Sequence, residues 1–289
     1  MIKSVGFIGL GTVGKHMALN LMNGKYALSV YDRDAGNVAE LVAAGAQKAP
    51  DEFTAAKGKD LVIVILPEAE EIKAALAAEN GFIQGIGPET ILVDMGTHSL
   101  EATLEMAQKA AERGAQFLDA PVWGTKEHAV NGLLTILVGG DISSLSRCRE
   151  VFSFFGHNTI HVGEIGDATR MKFVVNLMQG HIMEGLAEGI LFGQEFGFSV
   201  EKILEVLDSG GITSPLMNLK GRRIARGDFA RNLALKYVYE GLAVAREIAG
   251  KKKLNLPSAV AVCNVYEQAV ADGYGEEDFS AVIKSLQQK

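Results

Sequence analysis

The sequence predicts an α/β N-terminal domain built on a parallel sheet, joined by a long helix to an all-α C-terminal domain. Three observations predict it. Short, continuous apolar runs alternate with helical stretches through the first half. A glycine-rich turn follows the first of these runs. From about Gly166 onward the periodicity is helical throughout. Continuous apolar strands separated by helices read as a parallel sheet covered on both faces, connected by right-handed crossovers. The length of 289 residues suits one large or two modest domains, at roughly 100–200 residues for an ordinary domain.

In chain order, Lys3–Ile8 is an apolar run ending at Gly9, and Thr12–Asn23 carries Val13, Met17 and Leu21 at helical spacing. Leu28–Tyr31 is a second strand and Asn37–Ala44 a helix. Asp60–Leu66 contains the run LVIVIL, which Pro67 stops. Thr90–Asp94, Phe117–Asp119, Leu133–Val138 and Thr159–Val162 are further strands, with a helix at Ser143–Phe155. Asp167–Phe196 reads as one helix, its apolar positions Met171, Val175, Met178, Ile182, Leu186 and Ile190 stepping by three or four. Gly185, Gly189 and Gly193 recur every fourth residue, and since glycine costs about 1 kcal/mol inside a helix, they point to close packing against another helix, in this chain or a partner. Val200–Leu207, Phe229–Ala249 and Ser258–Asp272 continue the helical pattern. The domains are therefore expected at residues 1–163 and 164–289.

Composition narrows the function. Apolar residues make up 48% and charged residues 22%, with a net charge of −7. A general nucleic-acid binder needs a basic face, so nucleic acid is not an expected partner. The two cysteines, Cys148 and Cys263, are too few for a disulfide framework, and the histidines lack HxxxH spacing, so no metal is expected. No uncharged apolar stretch approaches the roughly 18 residues of a spanning helix, and the N-terminus lacks an export-signal pattern. A cytoplasmic protein without a membrane partner is the expectation.

Gly9-Leu10-Gly11-Thr12-Val13-Gly14 is a GxGxxG that follows a strand and opens a helix. Gly9 permits the tight turn, Gly11 lets a pyrophosphate approach the backbone, and Gly14 lets the helix pack on the sheet. The helix N-terminus offers N–H groups to the phosphates. Asp32 closes the second strand at the ribose-reading offset of a Rossmann dinucleotide site, and Arg33 follows it, where it could clamp a 2′-phosphate. NAD is slightly favoured over NADP. Leu66 and Pro67, at a strand end, are further candidate cofactor contacts.

Lys172 and Asn176 are four apart in a helix and project from one face. A lysine facing a pocket can protonate a carbonyl oxygen as hydride reaches the carbon, provided burial lowers its pKa. The segments Gly6–Gly14 (GFIGLGTVG), Asp119–Thr125 (DAPVWGT), Gly163–Gly166 (GEIG) and Met171–Asn176 (MKFVVN) together resemble the β-hydroxyacid dehydrogenase family, which includes 3-hydroxyisobutyrate dehydrogenase, tartronate semialdehyde reductase and glyoxylate/succinic semialdehyde reductases. The resemblance covers nearly the whole chain. It implies a homodimer or homotetramer, a small acid as substrate, Lys172 as the catalytic acid/base and Asn176 as its partner. Asp94–Thr97 (DMGT) resembles the family's DMST, which makes Thr97 a candidate for the nicotinamide ribose.

Two segments depart from the family. In its DAPVSGG, the serine and glycines are expected to hold the substrate carboxylate. Here Trp123 replaces the serine and Thr125 the second glycine, leaving Gly124 and Thr125 as the candidate acid cradle and Trp123 as a wall of the substrate pocket or a packing residue. In the C-terminal segment Lys236 is retained, but Glu240-Gly241 stands where the family often has Lys-Asp. The implied function is interconversion of a small 3-hydroxy acid and its semialdehyde. The alternatives are a catalytically weak dinucleotide-binding scaffold, or an enzyme redirected to a non-carboxylate or bulkier substrate.

Overall fold

The computed structural model describes residues 1–66 and 69–287. The chain divides into two compact units, Met1–Lys172 and Phe173–Lys289.

The first unit alternates strands and helices: β1 (Ser4–Ile8), α1 (Gly14–Leu21), β2 (Ala27–Tyr31), α2 (Ala35–Ala43), β3 (Gln47–Lys48), α3 (Glu52–Ala56), β4 (Leu61–Val64), α4 (Ala69–Ala77), α5 (Phe82–Gly85), β5 (Ile91–Asp94), α6 (Leu100–Glu112), β6 (Gln116–Asp119), β7 (Val122–Trp123), α7 (Lys126–Val130), β8 (Leu134–Gly140), α8 (Ile142–Phe152) and β9 (Gly156–Gly163). The strands lie in the order β3-β2-β1-β4-β5-β6-β8-β7, with β9 beside β8. Pairing from β3 to β6 is parallel, but β8 runs antiparallel to β6 and to β7. The sheet is therefore mostly parallel rather than wholly so, because after β6 the chain turns back through β7 and α7 into β8. The sequence pattern shows neither β3 nor β7, since two residues are too few to carry a period.

Alternate residues of each strand feed opposite faces. Val5, Phe7, Leu61 and Ile63 join one buried cluster with helices α1, α2 and α8, while Ile8, Val62 and Val64 join another with α3 to α6. Covering both faces is why the strands read as unbroken apolar runs. The order reverses between β1 and β4, and a crevice at that switch point, beyond the carboxyl ends of the strands, is where ligands of such sheets bind.

Helix α9 (Asp167–Glu195) begins in the first unit and runs into the second. The second unit continues with α10 (Val200–Ser209), α11 (Pro215–Ala225), α12 (Leu235–Lys252), α13 (Pro257–Ala269) and α14 (Val282–Gln287). Met183, Leu186 and Ile190 of α9 meet Leu242 of α12 and Val262 and Tyr266 of α13 in its core. Lys220 and Asp278 form an ion pair at 2.7 Å, both side chains wholly buried. α12 starts six residues later than the sequence pattern indicates. The Asp278 carboxylate accepts the N–H groups of Asn232 and Leu233, which holds that stretch out of the helix. Helix α11 lies outside the helical segments expected from the sequence, although Ser214 caps it and Pro215 opens it. Of the three glycines that recur every fourth residue in α9, Gly193 packs closely, against Ile203, whereas a Cβ on Gly185 or Gly189 would meet nothing within 4 Å. Among the described residues no helix is long and apolar enough to cross a membrane.

Candidate active site

The glycine turn lies between β1 and α1. Gly9 has φ +94, and a Cβ there would sit 2.4 Å from the Ile65 carbonyl oxygen, so no other residue fits. A Cβ on Gly14 would come as close, 2.3 Å from the Gly9 carbonyl oxygen, whereas the space beside Gly11 is open. Helix α1 begins at Gly14, two residues later than the pattern from Thr12 indicates, because Thr12 and Val13 belong to the turn. Val13 occupies the cap position and has no side-chain acceptor; the Lys15 and His16 N–H groups donate to the Gly11 and Val13 carbonyl oxygens, so an anion here would meet the N–H groups of the turn that precede them.

Asp32 follows β2. Its carboxylate accepts the Leu10 N–H at 2.6 Å, the Asp34 N–H at 2.8 Å and an amide N–H of Asn37 at 3.3 Å. It thus braces the glycine turn as well as standing at its edge. Arg33 is mostly exposed and pairs with Glu71 at 3.3 Å. Leu66 lies at the end of β4 between two glycines. Its side chain borders Gly9 and its carbonyl oxygen borders Gly96. Pro67 lies outside the described residues. Thr97 is half-buried on the loop after β5, and Ser99, not Thr97, caps α6. Residues of the glycine turn, β2, β4 and β5 thus meet at the carboxyl edge of one sheet.

The same loop holds a pair that the sequence pattern does not signal. His98 is buried, with Nε2 3.0 Å from Asp94. Burial opposes the charged imidazole, but the charge and hydrogen bond of Asp94 outweigh it and raise the His98 pKa.

Lys172 lies on α9 and is only 8% exposed. Its Nζ donates to the Val122 carbonyl oxygen at 2.8 Å. Burial lowers its pKa to about 8. That hydrogen bond joins the helix to the loop carrying the candidate acid cradle. Trp123 is half-exposed on the short strand β7, paired with Thr135 of β8. Gly124 has φ +153. Thr125 caps α7: its N–H donates to His128 Nδ1 at 3.1 Å, and its hydroxyl lies 2.8 Å from the same nitrogen. The Thr125 hydroxyl is therefore already engaged within the loop.

Asn176 lies one turn beyond Lys172 on α9 and is 5% exposed. Within the second unit it packs on α12. A Cβ at Gly241 would lie 2.6 Å from Asn176 Nδ2, so Gly241 makes room for this amide. Only the tertiary structure gives meaning to the departure at Gly241. Lys236, in the same unit, pairs with Glu276 at 2.8 Å. Among the described residues no cluster of three or more His, Cys, Asp or Glu side chains is arranged to hold a metal.

Residues 4–163 match the family profile described as the NAD binding domain of 6-phosphogluconate dehydrogenase, and residues 166–286 the one described as NAD-binding of NADP-dependent 3-hydroxyisobutyrate dehydrogenase. The chain is 34% identical to 2-(hydroxymethyl)glutarate dehydrogenase of Eubacterium barkeri, over 98% of this chain and 95% of that protein. It is 32% identical to the chloroplastic glyoxylate/succinic semialdehyde reductase 2 of Arabidopsis thaliana, over 98% and 79%. It spans about half, 51%, of the human cytokine-like nuclear factor N-PAC, to which it is 30% identical over 98% of its own length. The fold matches that of Mycobacterium tuberculosis 3-hydroxyisobutyrate dehydrogenase with a TM-score of 0.88 at 24% identity, over 99% of this chain and 100% of that one. Likeness of this extent is not carried by the glycine turn alone, and the chain belongs to the β-hydroxyacid dehydrogenase family of NAD(P)-dependent oxidoreductases.

Proposed function

We propose that this chain interconverts a small 3-hydroxy acid and its semialdehyde, with Lys172 as general acid/base. The observation that carries the reading is the Lys172 ammonium, buried against the Val122 carbonyl oxygen with its pKa lowered to about 8. A lysine poised there can give a proton to a carbonyl oxygen during reduction and take one from a hydroxyl during oxidation near neutral pH. The residues present fit a dinucleotide. Gly9, Gly11, Thr12, Val13 and Gly14 would hold its pyrophosphate at the uncapped start of α1, and Asp32 its adenosine ribose, with NAD slightly favoured. Leu66, Pro67 and Thr97 would border the nicotinamide half. When bound, the nicotinamide supplies or accepts the hydride.

The chain's own groups do the rest. The Gly124 backbone N–H would receive the substrate's acid group, joined by the Thr125 hydroxyl if it exchanged His128 for substrate, Trp123 would wall its pocket, and Asn176 would orient the substrate oxygen or Lys172. Lys236 would assist the acid group if it exchanged Glu276 for substrate. The names of the relatives from Eubacterium barkeri and Arabidopsis thaliana support a small aldehyde acid or hydroxy acid as substrate.

The test is turnover of NADH and NADPH against a panel of small semialdehydes, with Lys172→Ala as the probe. General acid–base catalysis contributes about 10²–10⁴-fold, so the variant should lose at least that while still binding cofactor. A loss under about tenfold would overturn the assignment. In the wild type, reduction should fade and oxidation should rise as pH passes about 8, because the first needs the ammonium and the second the free amine.

A further inference from the structure

Asp119 ends β6 and is wholly buried. Its carboxylate grips the start of α9. One oxygen accepts the Gly166 N–H at 2.9 Å; the other accepts the Thr169 N–H at 2.9 Å and the Thr169 hydroxyl at 3.2 Å. A helix start leaves its first N–H groups without partners, and a carboxylate placed there also meets the positive end of the helix dipole. The cap comes from a residue almost fifty positions earlier in the chain, so it fixes where the helix sits rather than only satisfying it.

The surroundings allow little slack. A Cβ on Gly139 of β8 would lie 2.4 Å from the Asp119 carboxylate. The Thr169 hydroxyl also lies 3.3 Å from that of Thr103 on α6. Three residues past Thr169, on the next turn of α9, Lys172 reaches back to the carbonyl of Val122, itself three residues past Asp119. The helix and the loop are therefore pinned at two points one turn apart, by the carboxylate and by the ammonium.

We infer that Asp119 is a positioning residue for Lys172: its grip on Gly166 and Thr169 sets the depth of the Lys172 ammonium and its hold on the Val122 carbonyl. This rests on the proposed role of Lys172. Asp119 is absent from the causes of the lowered Lys172 pKa, which is set by burial alone, so the coupling is geometric and not a charge effect. Loosening the cap lets water reach the amine, which returns its pKa toward the ordinary lysine value.

The experiment is a double-mutant cycle of Asp119→Asn and Lys172→Ala, read as kcat, KM and cofactor affinity, with thermal melts alongside. Asparagine keeps one acceptor but turns an NH₂ toward one of the two N–H groups, of Gly166 or Thr169. The expected result is a loss of about ten- to a hundredfold in kcat on the wild-type background, as for a roughly 1 Å misplacement. Cofactor affinity should stay within about twofold, and the kcat–pH limb should move above about 8. On the Lys172→Ala background the same substitution should cost almost nothing further. Thr169→Val, which removes one of the three bonds without changing shape, should give a smaller loss with the same pattern, and it carries the cycle if Asp119→Asn does not fold. Equal losses on both backgrounds, or a lower melting temperature with unchanged kcat, would overturn the inference alone. A Lys172→Ala protein with near wild-type turnover would overturn the reading of Lys172 and the inference with it.

Discussion

Replacing Gly241 with alanine puts a methyl group on Asn176. The new Cβ would stand 2.6 Å from Nδ2, 2.8 Å from Cβ and 3.1 Å from Cγ of that asparagine. Ordinary carbon contacts lie near 3.5 Å, so the amide must retreat by about 0.9 Å. For stability two effects oppose each other. Alanine improves α12 by up to about 1 kcal/mol over glycine, while overpacking costs about 1–3 kcal/mol. The melting temperature should therefore change by only a few degrees. Turnover should not be spared. If Asn176 orients the substrate oxygen or Lys172, a displacement near 1 Å costs about 10²-fold in kcat. Gly185→Ala is the matched control, since its Cβ meets nothing within 4 Å and should leave kcat unchanged. Steady-state kinetics in both directions, with melts monitored by circular dichroism, read the two effects separately. Wild-type kcat in Gly241→Ala, with only the melting temperature altered, would refute the role given to Asn176.

Asp32→Ser should weaken NADH and NADPH binding together, because Leu10 N–H loses its acceptor and the glycine turn its brace; fluorescence titration showing a clean switch to NADPH would contradict that. Lys220→Met leaves the Asp278 carboxylate buried without its nearest cation, at a cost of about 3–5 kcal/mol in denaturant titration, and Lys220→Met/Asp278→Asn should recover part of it. Burial first, then the charge and hydrogen bond of Glu188, raises the Glu184 carboxyl to about 7. The folded state then holds a proton that the unfolded state releases, so stability falls as pH rises from the ordinary glutamate range through 7. Glu184→Gln should accordingly raise the melting temperature at pH 8 more than at pH 4, and an equal effect at both would count against the shift.

The sequence by itself determined the sheet, the glycine turn and the long helix, because each is written in local signals. LVIVIL reads as a strand covered on both faces, GLGTVG follows a strand directly, and α9 keeps its three-and-four step for 29 residues. The placement of Lys172 and Asn176 on one helix was legible for the same reason. Local pattern does not encode what approaches from elsewhere in the chain. The antiparallel turn of β8, the buried His98–Asp94 pair, the fit of Gly241 against Asn176 and the Asp119 cap on α9 all join residues that are separated in sequence or have no periodicity. The late start of α12 has the same origin, since Asp278 withdraws backbone donors from a segment whose own pattern is helical. Only the tertiary structure decided how far Lys172 is desolvated, because burial is a sum over neighbours that no window of sequence contains.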